Sequence, residues 1–260
     1  MDEKYLDVFS TVLIYSQLWP VAEALTGLCS NEDVRDRNVV AVMFQDDILI
    51  EIMRVQPELV ILDISPRASC ALLNKLRHYH PSLSVIITQP RFLFSDRVVA
   101  EYFGNIWLKE YDSLLAGYPA VLLPEHLIYD ALAGIECGGT SFYRGYTELP
   151  VLQASLTDRI RCRLFDISGS SRLCEVVMEW LAKGVTPLET GLSLARSSKV
   201  VYHYRWQAMR LLNIHNPTKD FIPSLTVEIT LTESESDRYS RRHIFMNGRK
   251  NQVITVGEVW

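Results

Sequence analysis

Pro57-Glu58-Leu59-Val60-Ile61-Leu62-Asp63 is the stretch whose reading decides the fold. A proline that breaks the preceding segment is followed by four consecutive apolar residues and then a carboxylate. Four apolar residues in a row leave no polar face, so the run suits a strand covered on both sides, as in a parallel sheet between two helical layers. Residues 83–88 (LSVIIT), 11–15 (TVLIY) and 38–44 (NVVAVMF) have the same character. Helical segments separate them. Val21, Leu25 and Leu28 share one face, residues 46–55 (DDILIEIMRV) follow Asp46 or Asp47 as the expected cap, and residues 69–79 carry Leu72, Leu73 and Leu76. This alternation predicts an α/β doubly wound parallel sheet. For the fifth strand, residues 104–108 (GNIWL) compete with 119–123 (PAVLL), and 104–108 could equally continue a helix to Leu115. Residues 125–136 read as a closing helix.

The chain has 260 residues, 48% hydrophobic and 22% charged, enough for two modest domains with separate cores. No apolar run approaches the roughly 18 residues of a membrane span. The start, Met-Asp-Glu-Lys, lacks the basic segment of a secretion signal, so a cytoplasmic protein is expected. The five cysteines (Cys29, Cys70, Cys137, Cys162, Cys174) are odd in number and widely spaced, which argues for reduced thiols rather than disulfides or a zinc ribbon. His78 and His80 have no third ligand nearby, and neither a phosphate-binding G-x-x-x-x-G-K-[ST] nor a G-x-S-x-G elbow occurs. No metal, cofactor or enzymatic activity is expected.

Charge is unevenly spread. Residues 1–142 hold 10 basic and 19 acidic side chains, a net −9, whereas residues 170–222 hold 7 and 4, a net +3. An acidic front and a basic back suit a protein whose back half meets phosphate. In that back half, residues 172–183 and 186–195 are short helical stretches parted by Gly184, and a longer one runs from Ser198 to Leu212. Three helices with a glycine turn form a helix-turn-helix candidate. Ser197 can cap the third helix. Between Arg196 and Arg210 stand Lys199 and Arg205 and no acid. Val200, Val201, Ala208, Leu211 and Leu212 are expected to face inward, and Lys199, Tyr202, His203 and Trp206 outward. Long donors near the start of such a helix can reach base edges and phosphates. Arg196, Ser198, Lys199, Tyr202, His203, Arg205, Trp206 and Arg210 are therefore the candidate DNA-contacting residues.

From Gly184 onward the sequence resembles the LuxR/FixJ (NarL)-type helix-turn-helix. Gly184 stands at the turn glycine, Leu194 at the buried leucine, and Ser197 at the capping serine. Val200 and Val201 occupy the T-V pair, and Leu212, Ile214 and Asn216 the closing L-G-V-x-N. The chain departs from the pattern at Gly191 (alanine in the family), Tyr204 (histidine), Leu211 (lysine), Asn213 (glycine) and Pro217 (arginine). Residues 56–63 and 80–88 resemble a response-regulator receiver, with Asp63 at the phosphoacceptor position, Thr88 at the switch position and Lys109 at the phosphoryl-pairing lysine. The family's acidic pair after the first strand is here Ser16-Gln17, so a Mg²⁺ site is incomplete and the resemblance implies a pseudo-receiver. Ala208-Met209 and the run from His80 to Ser84 place the nearest likeness with the capsule-regulator (Rcs) type and its auxiliary partners.

The expected organisation is a receiver-like domain over 1–142, a linker over 143–169 with local order over 156–167, a helix-turn-helix domain over 170–222, and an extension over 223–260 that opens on one alternating, strand-like segment (LTVEITL). The resemblance implies a sequence-specific transcriptional regulator of double-stranded DNA. It would work as a homodimer or as a heterodimer with a related regulator, with no membrane partner. The alternative is an adaptor that kept the fold and lost DNA reading. The expected pairing surfaces are residues 89–118, rich in Phe92, Phe94, Tyr102, Phe103 and Trp107, and the last helical turn near Leu212–Asn216.

Overall fold

The apolar runs within the first 110 residues become strands: β1 Thr11–Tyr15, β2 Asn38–Val42, β3 Leu59–Leu62, β4 Ser84–Gln89 and β5 Ile106–Glu110. The computed structural model describes residues 11–30, 38–115, 142, 143 and 145–229. All pairings are parallel, in the order β2-β1-β3-β4-β5. One row of the sheet reads Val40, Leu13, Val60, Val85, Ile106. The fifth strand is the 104–108 candidate shifted by two residues; the competing 119–123 and the closing helix over 125–136 lie outside the described residues.

Helices cover both faces. Helices α1 (Trp19–Cys29) and α5 (Tyr111–Leu115) lie on one side, where Leu25, Cys29 and Leu114 pack on Val12, Ile14, Ile61 and Trp107. Helices α2 (Ile48–Val55), α3 (Cys70–Tyr79) and α4 (Phe94–Phe103) cover the other with Ile48, Ile52, Leu73, Leu76, Val99 and Phe103. The expected cap by Asp46 or Asp47 is not realised. A 3-10 turn (Gln45–Asp47) precedes α2, and Asp47 itself has helical dihedrals (φ −89, ψ −12), from which its side chain makes no cap hydrogen bond. Arg77 is buried, and its guanidinium donates to the carbonyls of Leu83 (2.6 Å) and Asn105 (2.7 Å), tying together the loops before β4 and β5. Burial pushes its pKa down to about 10.

The stretch expected as a linker contains a 20-residue helix, α6 (Leu149–Ser168), with Pro150 in its first turn and Gly169 in the left-handed region at its end. Leu152, Leu156, Ile160 and Leu164 form a fully buried stripe, while Arg159 and Arg163 pair with Glu101 of α4. Then follow α7 (Ser171–Glu179), α8 (Pro187–Ser193) and α9 (Ser198–Leu211).

After α9 the chain turns back. Pro223–Leu225 form a 3-10 turn, and Phe221, Leu225 and Val227 are buried. No strand forms over 226–229, so the expected alternating strand is absent from its described part. The reason lies in tertiary packing: this segment spends its apolar side chains and Glu228 N–H on the sheet-bearing half rather than on a further strand. The described residues up to Ile229 thus form one compact unit that holds both the sheet and the three-helix module. Among the described residues no helix is long and apolar enough to cross a membrane.

Candidate nucleic-acid interface

The turn before α9 is built from close backbone contacts. Thr186 caps α8 by accepting from the Glu189 N–H, and the Glu189 carboxylate accepts from the Thr186 N–H in return, a reciprocal capping box. The Thr186 hydroxyl, which donates to the Glu189 carboxylate at 2.7 Å, and then the Thr186 N–H hold that carboxyl below the usual carboxylate range. Arg196 N–H donates to the Gly191 carbonyl at 2.9 Å, and a Cβ on residue 191 would meet the Arg196 carbonyl oxygen at 2.9 Å and the Ser198 backbone at 3.2 Å. Glycine is needed there because backbone fills the space a methyl would take. Ala195 turns the chain at φ 48. Ser197 then opens α9, its hydroxyl accepting from the Lys199 N–H at 3.3 Å, as its sequence position predicts.

Helix α9 has two unlike faces. Val201, Ala208 and Leu212 are buried against α7 and α8. Val200 and Leu211, expected inward, are exposed, because they lie at the flanks of the narrow buried stripe. Arg196, Lys199, Tyr202, His203, Trp206 and Arg210 are all exposed, and Ser198 is half-buried at the helix start. The rings of His203 and Trp206 stack with centroids 6.2 Å apart, and the Arg210 guanidinium lies 4.9 Å from the Trp206 ring. Arg205 departs from the expectation. It is half-buried, sits 5.1 Å over the Phe221 ring and reaches the Pro217 carbonyl, so it serves the returning chain rather than the outer face. Asn213, where the family has glycine, has φ 52, a left-handed conformation that asparagine tolerates.

At the carboxyl end of the sheet, Ser16, Asp63, Thr88 and Lys109 stand on one level, one step beyond the paired Tyr15, Leu62, Ile87 and Leu108. The sheet register brings these residues of the sequence reading together. The sequence alone does not reveal their partners. Ser16 Oγ donates to Asp63 Oδ2 at 2.6 Å, and the Tyr111 hydroxyl donates to Asp63 Oδ1. Burial, and then the bond to the Asp63 carboxylate, push the Tyr111 hydroxyl pKa up. Thr88 is fully buried, with no hydrogen-bond partner for its hydroxyl among the described residues. A Mg²⁺ ion needs several oxygen ligands, usually including carboxylates. Here both carboxylate oxygens of Asp63 already accept from protein hydroxyls, and no group of three metal-binding side chains exists among the described residues. The donor set does not fit the ion.

The two halves are clasped. Arg91 pairs with Asp220, Ser95 Oγ donates to the Pro223 carbonyl at 2.6 Å, and Arg67 bonds Glu228 through its guanidinium at 2.6 Å and its carbonyl at 2.9 Å. The aromatic side chains of 89–118 named above do not form an open pairing surface in the described residues. Phe92 and Phe103 are buried and Phe94 and Tyr102 half-buried in the core around α4, and Trp107 is buried on the opposite face of the sheet beside Leu114.

No family model and no curated protein matches the chain. Solved structures do. The chain is similar to RcsB in two dimers bound to two parallel DNAs (20% identity, 85% of this chain, 100% of that one, TM-score 0.54). It is similar to RcsB from Salmonella enterica serovar Typhimurium bound to a promoter with a phosphomimetic (19%, 84% and 98%, 0.52). A third likeness is to the two-component response regulator RcsB in a DNA complex (18%, 85% and 100%, 0.50). At these identities the likeness is one of fold: an α/β receiver-like sheet followed by a helical helix-turn-helix module, over nearly the whole length of the compared proteins.

Proposed function

We propose that the protein is a sequence-specific, DNA-binding transcriptional regulator of the cytoplasm, not an enzyme, whose receiver half does not use phosphate. The observation that carries this reading is the outer face of α9. Five long or aromatic side chains (Lys199, Tyr202, His203, Trp206, Arg210) are exposed on a capped helix with no acid between Arg196 and Arg210. Lys199 and Arg196 lie at the amino-terminal end, where a major-groove helix approaches phosphates and base edges. Trp206 and Arg210, held by stacking, supply a rigid donor further along. Pairing with a second copy, or with a related regulator, would double the contacts on DNA, and the RcsB structures with dimers on DNA support that arrangement.

The receiver half is degenerate in this reading because the Ser16 and Tyr111 hydroxyls occupy Asp63, and Ser16-Gln17 carries no charge for a cation. Thr88 and Lys109 keep their places in the sheet without a phosphoryl group to bind.

Fluorescence anisotropy with pooled duplex DNA over a salt series tests the first part. Affinity should fall steeply with salt, since each neutralised phosphate releases counterion, and selection from the pool should enrich a defined site. Absence of salt-dependent binding would favour the adaptor reading. Intact-mass measurement after incubation with acetyl phosphate and Mg²⁺ tests the second; a gain of one phosphoryl group at Asp63 would overturn it.

A further inference from the structure

In the major groove each base asks for a different side chain. Guanine takes a bidentate Arg or Lys, adenine an Asn or Gln, and cytosine an acceptor such as Asp or Glu. Thymine alone presents a methyl group for apolar contact. Helix α9 contains no Asn, Asp or Glu, and its one amide side chain, Gln207, is half-buried. Between the exposed cations Lys199 and Arg210 the exposed side chains are Val200, Tyr202, His203 and Trp206. Three of these four are aromatic.

Trp206 is the largest of them and is 49% exposed. Its ring stacks with His203 at 6.2 Å between centroids, and the Arg210 guanidinium lies 4.9 Å from it. These neighbours hold the indole in place before any partner arrives, so little side-chain freedom is left to lose on docking. Tyr202 stands four residues earlier, on the same side of the helix. Positions 199, 203, 206 and 210 also share a face, which therefore runs from cation through aromatic rings to cation. A duplex has the matching order across its major groove, phosphates on the walls and base edges between them.

On the DNA reading of α9 given above, we infer that the helix selects thymine. Trp206, with Tyr202 beside it, packs on thymine C5 methyl groups in the major groove, while Lys199 and Arg210 meet the flanking phosphates. The preferred site carries thymine on the edges that face α9. A duplex of the same length and charge built from G·C pairs offers these rings no methyl and binds more weakly.

Replacing thymine by uracil isolates the methyl, because uracil keeps the pairing and the O4 acceptor. The wild type first enriches a site from a random duplex pool, and that site is synthesised with every dT replaced by dU. Each methyl buried against the rings is worth about fourfold in affinity. In fluorescence anisotropy the dU duplex should bind at least about fourfold more weakly, with the same salt slope, since no phosphate contact changes. Trp206→Ala, its folding checked by circular dichroism, should bind the two duplexes alike. That result separates a methyl contact from an effect of uracil on DNA shape, which the variant would still feel. Lys199→Ala should weaken binding to both duplexes and keep their ratio. An enriched site of G·C pairs alone, equal wild-type affinity for the dT and dU duplexes, or a full ratio retained by Trp206→Ala would overturn the thymine assignment and leave DNA binding standing. A pool that yields no salt-dependent binding at all would remove the DNA reading, and the thymine assignment with it.

Discussion

Gly191 lies against Arg196 so closely that the first atom of any side chain would stand 2.9 Å from the Arg196 carbonyl oxygen. That neighbour is backbone and cannot swing aside. Gly191→Ala, which brings in the alanine of the LuxR/FixJ pattern that the sequence resembles, should therefore destabilise this protein, by about 1–3 kcal/mol for an overpacked site. Urea denaturation checks the loss. Unchanged stability would mean that α8 and α9 cross more loosely.

Lys199 and Arg205 were alike in the sequence and are unlike in the fold. Lys199→Ala should weaken binding on every DNA sequence and flatten the salt dependence by about one unit. Arg205→Ala should leave the salt slope unchanged and lower the unfolding midpoint, because the guanidinium holds Phe221 and the Pro217 carbonyl. Equal changes in salt slope for the two variants would count against this division.

The hydroxyl of Tyr111 bridges α5 to Asp63. Tyr111→Phe keeps the ring and removes one hydrogen bond to a carboxylate, a change of about 1–3 kcal/mol where the acceptor is charged and partly buried. Thermal unfolding should report the loss. The Asp63→Asn variant should show much of it already, so the two substitutions combined should cost less than their sum.

Burial lowers the pKa of His80, whose Nε2 is buried without a hydrogen-bond partner among the described residues. The unfolded chain takes up this proton near pH 6.5, and the folded chain only at lower pH. Between these values the unfolded state binds more protons, so the contribution is intact above about pH 6.5 and is lost as pH falls through the folded value. Chemical denaturation at pH 7.5 and 5.5 should show a smaller acid-induced drop for His80→Gln than for the wild type. Identical drops would remove His80 from the account.

What could be read in advance depended on how local the cause was. Leu59–Leu62 and residues 83–88 declare themselves, since an uninterrupted apolar run has few other places to go. The outward set Lys199, Tyr202, His203 and Trp206 follows from helical spacing alone. Helix α6 was missed although Leu152, Leu156, Ile160 and Leu164 recur every fourth residue, because the stripe is one residue wide and the glycines before it suggest a loop. Its buried face, its proline start and its glycine stop would have found it. Nothing local announces the Tyr111–Asp63 bond, 48 residues apart, or the capture of Arg205 by Phe221, which requires the chain after α9 to turn back.

That return carries a consequence for anyone rearranging this protein. Regulators of this architecture invite being handled as cassettes, one half exchanged for another at the joint. Here the joint is not a single point. A chimera cut anywhere along α6 and a fragment begun at residue 170 would each take the turn Pro223–Leu225 from its place beside α4, and would strand Asp220 and Glu228 from Arg91 and Arg67. The chain crosses from one half to the other twice, and must be transplanted whole.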